Sequence, residues 1–262
     1  MVAIDVDGTL LTDDKRVSVR NIEAVRAAVK SGVRVVLASA RPPRSMRELY
    51  GYLGLDTLQV NYNGALIHDP IRKRHVHHQP LSSTVARKVI RIARSLYPQT
   101  VVSVEILDKW YTDHVDESLP TETSRAFTPD FVGPLDAFLH VPVTKVMLLG
   151  QPKWMPEIRA AVLKKCRDQV GIAVSDAHLL QIVHPQVDKA IALARVAKGY
   201  DIPAERVMAI GDAPNDVGMI AWAGLGVAVE NAWQETRNAA DIIVPANDED
   251  GVAFALKRYV LD

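Results

Sequence analysis

The chain has 262 residues, a length that suits one large domain or two moderate ones. Hydrophobic residues make up 48% of it, which is enough for a sizeable core and excludes the disordered and fibrous classes of protein. The 31 basic residues balance the 31 acidic ones, so the overall charge gives no basis for binding nucleic acid or an anionic membrane.

Three features bear on the compartment in which the protein works. Cys166 is the only cysteine, so no disulfide can form within the chain and a cytoplasmic location is expected. The apolar stretch at 217–229 contains three glycines and is shorter than the roughly 18 residues that span a bilayer, so no transmembrane helix is expected. An acidic residue already at position 5 argues against a secretory signal.

The amino-terminal segment alternates predicted strands with predicted helices. Strands are expected at 2–6, 33–38 and 58–62, and the β-branched run VRVVLA in the second is typical of a strand buried on both faces. Ser18 opens a segment with apolar residues at helical spacing, and Gly32 closes it. Short connections of this kind predict right-handed crossovers and a parallel sheet with helices on both faces.

The carboxyl-terminal segment resumes this alternation. A strand is expected at 206–210 and a helix at 216–223; the strand LGVAV, a helix from Trp233, the strand DIIV and a last helix follow. Both ends of the chain are therefore predicted to build one α/β core, a Rossmann-like doubly wound parallel sheet made of residues 1–82 and 184–262.

The pattern changes between these segments. Two stretches are typical of hairpins, one turning at 69–70 and the other at 108–109, and hairpins indicate antiparallel strands. Helical spacing of apolar residues recurs at 85–96 and 156–168. Residues 83–183 are therefore predicted to form an inserted α+β domain.

Polar and small residues follow four of the predicted core strands, at the point where each strand ends. Ligands of open parallel α/β sheets bind beyond the carboxyl ends of the strands, so these residues are expected to meet at one site. In chain order they are Asp5, Asp7, Gly8 and Thr9; Ser39, Ala40 and Arg41; Asn63 and Gly64; and Gly211, Asp212, Asn215 and Asp216.

The aspartates of this set point to a metal ion. Four carboxylates near one point would repel each other and raise each other's pKa unless a cation neutralised them. Mg²⁺ is the natural candidate, because it prefers hard oxygen ligands and no histidine or cysteine accompanies the acids. Each motif taken singly has a plain alternative as a turn or a helix cap. Their order along the chain, each behind a strand, favours the site.

Four short segments resemble the motifs of the haloacid dehalogenase (HAD) superfamily of phosphohydrolases. They are DVDGTLL at the first strand, Ser39 in LASAR, Lys189 in VDKA, and GDAPNDVGM after the strand at 206–210. NYNGALI and the place of the insertion are similar to the Cof-type members, which carry a large α/β cap between the second and third motifs. The resemblance implies a HAD-type core with residues 83–183 as the cap that distinguishes substrates.

The resemblance also implies roles for single residues. Asp5 is implied to be the nucleophile that forms an aspartyl-phosphate, Asp7 the general acid and base, and Lys189 the third catalytic residue. The implied Mg²⁺ site consists of Asp5, Asp7 with its main-chain carbonyl, Asp212 and Asp216. The residues expected to bind the substrate and its phosphate are Ser39, Ala40, Arg41, Asn63, Gly64, Lys189 and Asn215. For Arg41, which lies close to the second motif, a surface salt bridge is an equal alternative.

The expected function is Mg²⁺-dependent hydrolysis of small phosphorylated metabolites, such as sugar phosphates or related organic phosphate monoesters. The protein is expected to be a monomer or small homo-oligomer with no nucleic-acid or membrane partner. A phosphomutase or phosphotransferase would use the same intermediate, and a non-catalytic phospho-accepting regulator would also carry a phosphorylated aspartate on a parallel sheet. A glycosyltransferase could use the DxD pair, but would leave Lys189 and GDAPND unexplained.

Overall fold

The computed structural model describes the main chain of residues 1–262, and the side chains of all of them except 122 and 174–176. The main chain divides into two compact units, Met1–His77 with Asp188–Asp262, called here the core domain, and His78–Val187, called the inserted domain. The inserted domain extends a few residues beyond the expected 83–183 at each end.

The elements follow in chain order. The first part of the chain contains β1 (Val2–Ile4), α1 (Val19–Lys30), β2 (Val35–Leu37), α2 (Pro43–Leu53), β3 (Gln59–Asn61), β4 (Leu66–Asp69) and β5 (Arg74–His78). The inserted domain contains α3 (Ser83–Leu96), β6 (Val101–Ile106), β7 (Lys109–Thr112), α4 (Glu122–Ala126), β8 (Phe131–Val132), β9 (Lys145–Leu149), α5 (Met155–Cys166), β10 (Gly171–Asp176) and β11 (Leu179–Val183). The last part contains α6 (Lys189–Gly199), β12 (Met208–Gly211), α7 (Val217–Trp222), β13 (Leu225–Val229), α8 (Gln234–Ala239), β14 (Ile242–Val244) and α9 (Gly251–Leu256). Within the described chain, every helix is too short or too polar to cross a bilayer.

A five-stranded parallel sheet forms the centre of the core domain, in the order β14-β13-β12-β1-β2. Hydrophobic clusters cover both of its faces: Val2 and Ile4 of β1 pack in one cluster, and Ala3 between them packs in the other. This alternation along a buried strand confirms the predicted doubly wound α/β core. Because β1 lies between β2 and β12, the segments that follow these three strands emerge side by side.

The third predicted strand differs from expectation in its pairing. β3 pairs antiparallel with β4, and these two strands form a separate three-stranded sheet with β5. A single parallel bridge between Ala38 and Val60 connects β3 to the end of β2. The chain turns back directly after β3, where Tyr62, Asn63 and Gly64 all have positive φ. The turn keeps Asn63 and Gly64 next to the residues that follow β2.

The inserted domain is an α+β unit built on a six-stranded sheet with the order β10-β11-β9-β6-β7-β8. Helices α3 and α5 cover one face of this sheet, where Val102, Val104 and Leu148 are buried against them. The opposite face carries a second cluster that includes Trp110. The β6-β7 hairpin turns at 107–108, one residue earlier than predicted, because Leu107 adopts the positive φ that the turn requires.

Candidate active site

Three buried carboxylates meet at the carboxyl end of the central strands. Asp5 follows β1, Asp212 follows β12, and Asp216 ends the short turn after β12. One oxygen of each lies within 4.8 Å of an oxygen of the others. The three residues are 5%, 8% and 0% exposed, in that order. So much negative charge away from water is unfavourable unless cations share the site.

Lys189, the first residue of α6, supplies one such cation. Its Nζ donates hydrogen bonds to Asp5 Oδ1 at 2.5 Å and to Asp216 Oδ1 at 2.6 Å, and its side chain is fully buried. Burial lowers the pKa of Lys189, but the charges of Asp216 and Asp5 and their hydrogen bonds outweigh burial, so its pKa is raised and the lysine stays charged. Asp188 caps α6 by accepting from the amide of Ala190 at 2.7 Å, which sets where Lys189 lies.

One lysine does not balance three acids. Burial raises the pKa of Asp5 well above its usual range, and the charge of Asp216 raises it further against the opposing effect of Lys189. Burial also raises the pKa of Asp212 to about 6, although the hydrogen bond from Thr9 opposes the shift. Raised pKa values at neighbouring acids indicate that the site has less positive charge than its carboxylates need in order to be ionised.

Hydrogen bonds from the chain orient two of the acids. Thr9 Oγ1 donates to Asp212 Oδ1 at 2.8 Å. Asp216 Oδ2 accepts from the amides of Asp212 at 3.1 Å and Ala213 at 3.0 Å, so both of its oxygens are engaged by this chain. A Cβ at Gly8, which has a φ of +85°, would lie 2.5 Å from Asp212 Oδ2. Only glycine therefore permits the close approach of the loop after β1 to Asp212.

The carboxylate of Asp7 is not one of the three grouped carboxylates and pairs with two basic side chains. Arg41 donates to it from Nε at 2.7 Å and from Nη2 at 2.6 Å, and Lys15 donates from Nζ at 3.1 Å. Burial raises the pKa of Asp7, but the hydrogen bonds and charge of Arg41, helped by Lys15, outweigh burial and lower the pKa. Because both side-chain oxygens of Asp7 are engaged in this way, the group of Asp7 that remains as the predicted metal ligand is its main-chain carbonyl oxygen.

The other predicted phosphate-binding residues lie in two adjoining turns. Ser39 is buried, and its Oγ accepts from the amide of Arg41 at 3.1 Å across the turn that contains Ala40. The amide of Asn63 donates to the Ser39 carbonyl at 2.9 Å, and Asn215 Nδ2 donates to Asn63 Oδ1 at 2.9 Å. The turns after β2, β3 and β12 are thus joined by hydrogen bonds.

Gly64 fits a narrow gap beside the start of α6. A Cβ at this position would lie 2.3 Å from the main-chain oxygen of Asp188, and Gly64 has a φ of +101°. Any larger residue would both strain the turn and displace the residue that caps the helix.

Two further residues at the site were not predicted from the sequence. Asn231 Nδ2 donates to the Gly8 carbonyl at 2.8 Å, and Lys15 pairs with Asp7. Asn231 comes two residues after β13, so the rule that ligands gather behind parallel strands could have found it. Lys15 lies in the loop after β1 with no comparable signal.

Residues 2–256 match the family model of haloacid dehalogenase-like hydrolases. The chain belongs to this family. It is 31% identical over 262 residues to a 5-amino-6-(5-phospho-D-ribitylamino)uracil phosphatase of Bacillus subtilis, with 99% of this chain and 97% of that protein covered. A second Bacillus subtilis phosphatase is 28% identical, with 99% of each chain covered.

Solved structures agree with this family membership. A haloacid dehalogenase-like hydrolase from Bacteroides thetaiotaomicron has a TM-score of 0.88 at 27% identity and covers 98% of both chains. A Thermotoga maritima protein has a TM-score of 0.89 at 26% identity, with 100% of this chain and 97% of that chain covered. The resemblance to the Cof-type phosphatases of the HAD superfamily is confirmed, and this HAD hydrolase is a phosphatase.

Proposed function

We propose that this HAD hydrolase is a Mg²⁺-dependent phosphatase of small phosphorylated metabolites, such as sugar phosphates or related organic phosphate monoesters. The observation that carries the proposal is the buried set of three carboxylates and one lysine behind the central parallel strands. The Bacillus subtilis relative, whose name specifies a phosphoribityl compound, supports this substrate class. The inserted domain selects among substrates, and the protein works in the cytoplasm as a monomer or small homo-oligomer.

The donor set fits Mg²⁺. All of the candidate ligand atoms in the cluster are carboxylate oxygens, which hard divalent cations prefer, and they carry more charge than Lys189 neutralises. Asp5 and Asp212 hold the ion, and Asp216, whose two oxygens are engaged by Lys189 and by main-chain amides, positions Lys189 and the loop after β12. When bound, Mg²⁺ keeps the acids ionised and withdraws charge from the phosphoryl group.

In the proposed mechanism an oxygen of Asp5 forms a bond to phosphorus while the bond from phosphorus to the ester oxygen breaks. Asp7 donates a proton to the departing alcohol oxygen. Asp7 then takes a proton from the water that attacks the aspartyl-phosphate, which releases orthophosphate and regenerates Asp5. Lys189 and Ser39 hold the phosphoryl oxygens as negative charge moves across them.

Arg41 must leave Asp7 before Asp7 can act as an acid. In the present conformation Arg41 binds both Asp7 oxygens and lowers the pKa of that carboxyl. A phosphate dianion is a stronger acceptor for the guanidinium fork than one carboxylate. Substrate that draws Arg41 to its phosphate therefore raises the pKa of Asp7, so the arrival of phosphate and the protonation of the acid are coupled.

Replacing Arg41 with Gln tests this coupling. The KM for p-nitrophenyl phosphate is expected to rise about tenfold or more, because a charge-assisted bidentate contact is lost. The pKa of Asp7 in the profile of kcat/KM against pH should also rise, since the free enzyme no longer has the pair that lowers it. The matched control is Arg47→Gln, on the exposed face of α2. An unchanged KM and an unchanged pH profile would rule out the coupling.

Phosphate release tests the proposed function itself. In the presence of Mg²⁺ the purified protein is expected to release orthophosphate from p-nitrophenyl phosphate and from members of a panel of phosphorylated sugars and sugar alcohols. Chelation should abolish turnover, and added Mg²⁺ should restore it. Orthophosphate and alcohol in equal yield indicate hydrolysis, whereas transfer to a second sugar indicates a mutase or phosphotransferase. An aspartyl-phosphate that persisted for many minutes would favour the phospho-accepting regulator.

Stability as a function of pH gives an independent test of the metal site. Folding raises the pKa of Asp212 from 3.8 to about 6 without metal, so this group stabilises the metal-free protein at low pH. That contribution, on the order of 3 kcal/mol, is lost as the pH rises through about 6. Mg²⁺ binds the ionised acids, so the rise in thermal midpoint with Mg²⁺ should be larger at pH 7.5 than at pH 5. Asp212→Asn should abolish this pH dependence, while NaCl at equal ionic strength controls for screening.

A further inference from the structure

The turn that contains Asn231 bridges the loops that follow two other strands of the core sheet. Asn231 lies two residues after β13, and β12 separates β13 from β1 in the sheet. Even so, Asn231 Nδ2 donates to the Gly8 carbonyl, in the loop after β1, at 2.8 Å. Two residues later in the same turn, the Trp233 amide donates to the Asp212 carbonyl, after β12, at 2.8 Å. This turn therefore connects the loop after β1 to the loop after β12.

Asn247, which follows β14, holds the side chain of Asn231 in place. The Asn247 amide donates to Asn231 Oδ1 at 2.9 Å, which leaves Asn231 Nδ2 to contact Gly8. Asn247 Nδ2 donates to the Leu11 carbonyl at 3.0 Å and to Asp13 Oδ1 at 3.1 Å. A main-chain amide only donates and a carbonyl only accepts, so these contacts fix the orientation of both side-chain amides. Asn247 is 3% exposed, so water competes little for its hydrogen bonds.

Asn231 holds a glycine, the residue type with the most main-chain freedom. Gly8 has a φ of +85°. Its two neighbours belong to the proposed metal site, because the carbonyl of Asp7 is a predicted ligand and Thr9 Oγ1 donates to Asp212 at 2.8 Å. A rotation of the main chain at Gly8 would displace one neighbour relative to the other. The hydrogen bond from Asn231 opposes that rotation.

We propose that Asn231, supported by Asn247, is a positioning residue for the metal site. Asn231 acts through the main chain of Gly8 rather than by contact with the ion or the substrate. The inference rests on the proposed Mg²⁺-dependent function and adds to it, because the segments after β13 and β14 gain a part in metal binding. Both segments lie beyond β12 in the sheet order, and their side chains set how the loop after β1 meets the loop after β12.

Asn21 makes the same type of contact at the buried end of the loop after β1. Its Nδ2 donates to the Leu10 carbonyl at 3.4 Å, and its Oδ1 accepts from the Ala253 amide at 2.8 Å. Asn21 is fully buried, whereas Asn231 is exposed. Loss of the Asn21 side chain should lower stability more, because buried groups left without partners are the more unfavourable ones. Asn21 and Asn231 therefore separate a stabilising residue from a positioning residue.

Mg²⁺ binding to Asn231→Ala tests the proposal. The dissociation constant for Mg²⁺, measured by titration calorimetry on the intact protein, is expected to rise about tenfold or more. Turnover at limiting Mg²⁺ should fall with it and recover at saturating Mg²⁺. The melting temperature of the metal-free variant should stay within about 3 °C of wild type, because the lost contacts are those of an exposed side chain.

Two further variants serve as controls. Asn238→Ala removes an exposed asparagine of α8 and should leave both Mg²⁺ affinity and melting temperature unchanged. Asn21→Ala should lower the melting temperature by more than about 3 °C, yet leave the Mg²⁺ dissociation constant of the folded protein within about threefold of wild type. Equal losses of Mg²⁺ affinity in Asn21→Ala and Asn231→Ala would overturn the proposal, as would an unchanged dissociation constant in Asn231→Ala.

Hydrogen exchange keeps this test distinct from that of the proposed function. In the metal-free protein, amide exchange across residues 8–13 should be faster in Asn231→Ala than in wild type or Asn238→Ala, because the loop after β1 loses its restraint. If wild-type protein binds no Mg²⁺, the proposed function fails, and faster exchange still supports Asn231 as the residue that positions this loop. Unchanged exchange would overturn that role whatever the outcome with Mg²⁺.

Discussion

The Asp5→Asn variant is expected to lose phosphatase turnover by at least about a thousandfold. The amide has the shape of the carboxylate but cannot form the aspartyl-phosphate, and it removes one of the two charges that Lys189 contacts. Rapid-quench labelling with a ³²P-labelled substrate should detect phosphoprotein in the wild-type protein and none in the variant.

The matched control for this variant is Asp14→Asn. Asp14 lies in the same loop after β1 but is exposed, so its loss should leave turnover within about twofold of wild type. The melting temperature of Asp5→Asn should not fall, because burial already raises the pKa of Asp5 and makes its charge unfavourable. Turnover in Asp5→Asn above about one tenth of wild type would remove Asp5 from the role of nucleophile.

Lys189→Met is expected to abolish activity and to lower the free energy of unfolding of the metal-free protein by about 3–5 kcal/mol. The variant keeps the length of the side chain, but leaves Asp5 and Asp216 buried beside each other without their common cation. Chemical denaturation at several pH values measures the effect. The destabilisation should shrink as the pH falls, because protonation removes the charge of the unpaired acids.

Lys198→Met serves as the control for Lys189→Met. Lys198 lies exposed in the last turn of the same helix, so its replacement should change stability by only a few tenths of a kcal/mol. If Lys189→Met were as stable as Lys198→Met at pH 7, the ion pairs of Lys189 would contribute nothing to the fold, and its role would be limited to binding phosphate.

The strands of the core sheet were predictable from local sequence, and the grouping of the acids followed from their places directly behind those strands. A β-branched run such as VRVVLA is typical of a strand within a covered sheet, and parallel strands bring the residues behind them together. That reasoning identified Asp5, Asp212 and Asp216 as neighbours, and the structure groups their carboxylates. It did not yield the pairing of β3, which depends on a tight turn at Asn63.

Contacts between side chains distant in sequence were not predictable in the same way. A lysine in the first turn of a helix is usually solvated, and only the family resemblance marked Lys189, which is fully buried between two acids. The pairing of Asp7 with Arg41 joins residues 34 positions apart. The sequence alone does not show whether the Asp7 carboxylate pairs with Arg41 or faces the other acids, because either arrangement would place the carboxylate beside a positive charge.

Gly64 restricts how this enzyme can diverge. It has no functional group, yet a single added carbon would meet the main-chain oxygen of Asp188, which caps the helix that carries Lys189. A random substitution there shifts the lysine relative to the acids, so the position should tolerate as little variation as the acids themselves. Directed evolution toward new substrates should therefore leave the turn after β3 unchanged.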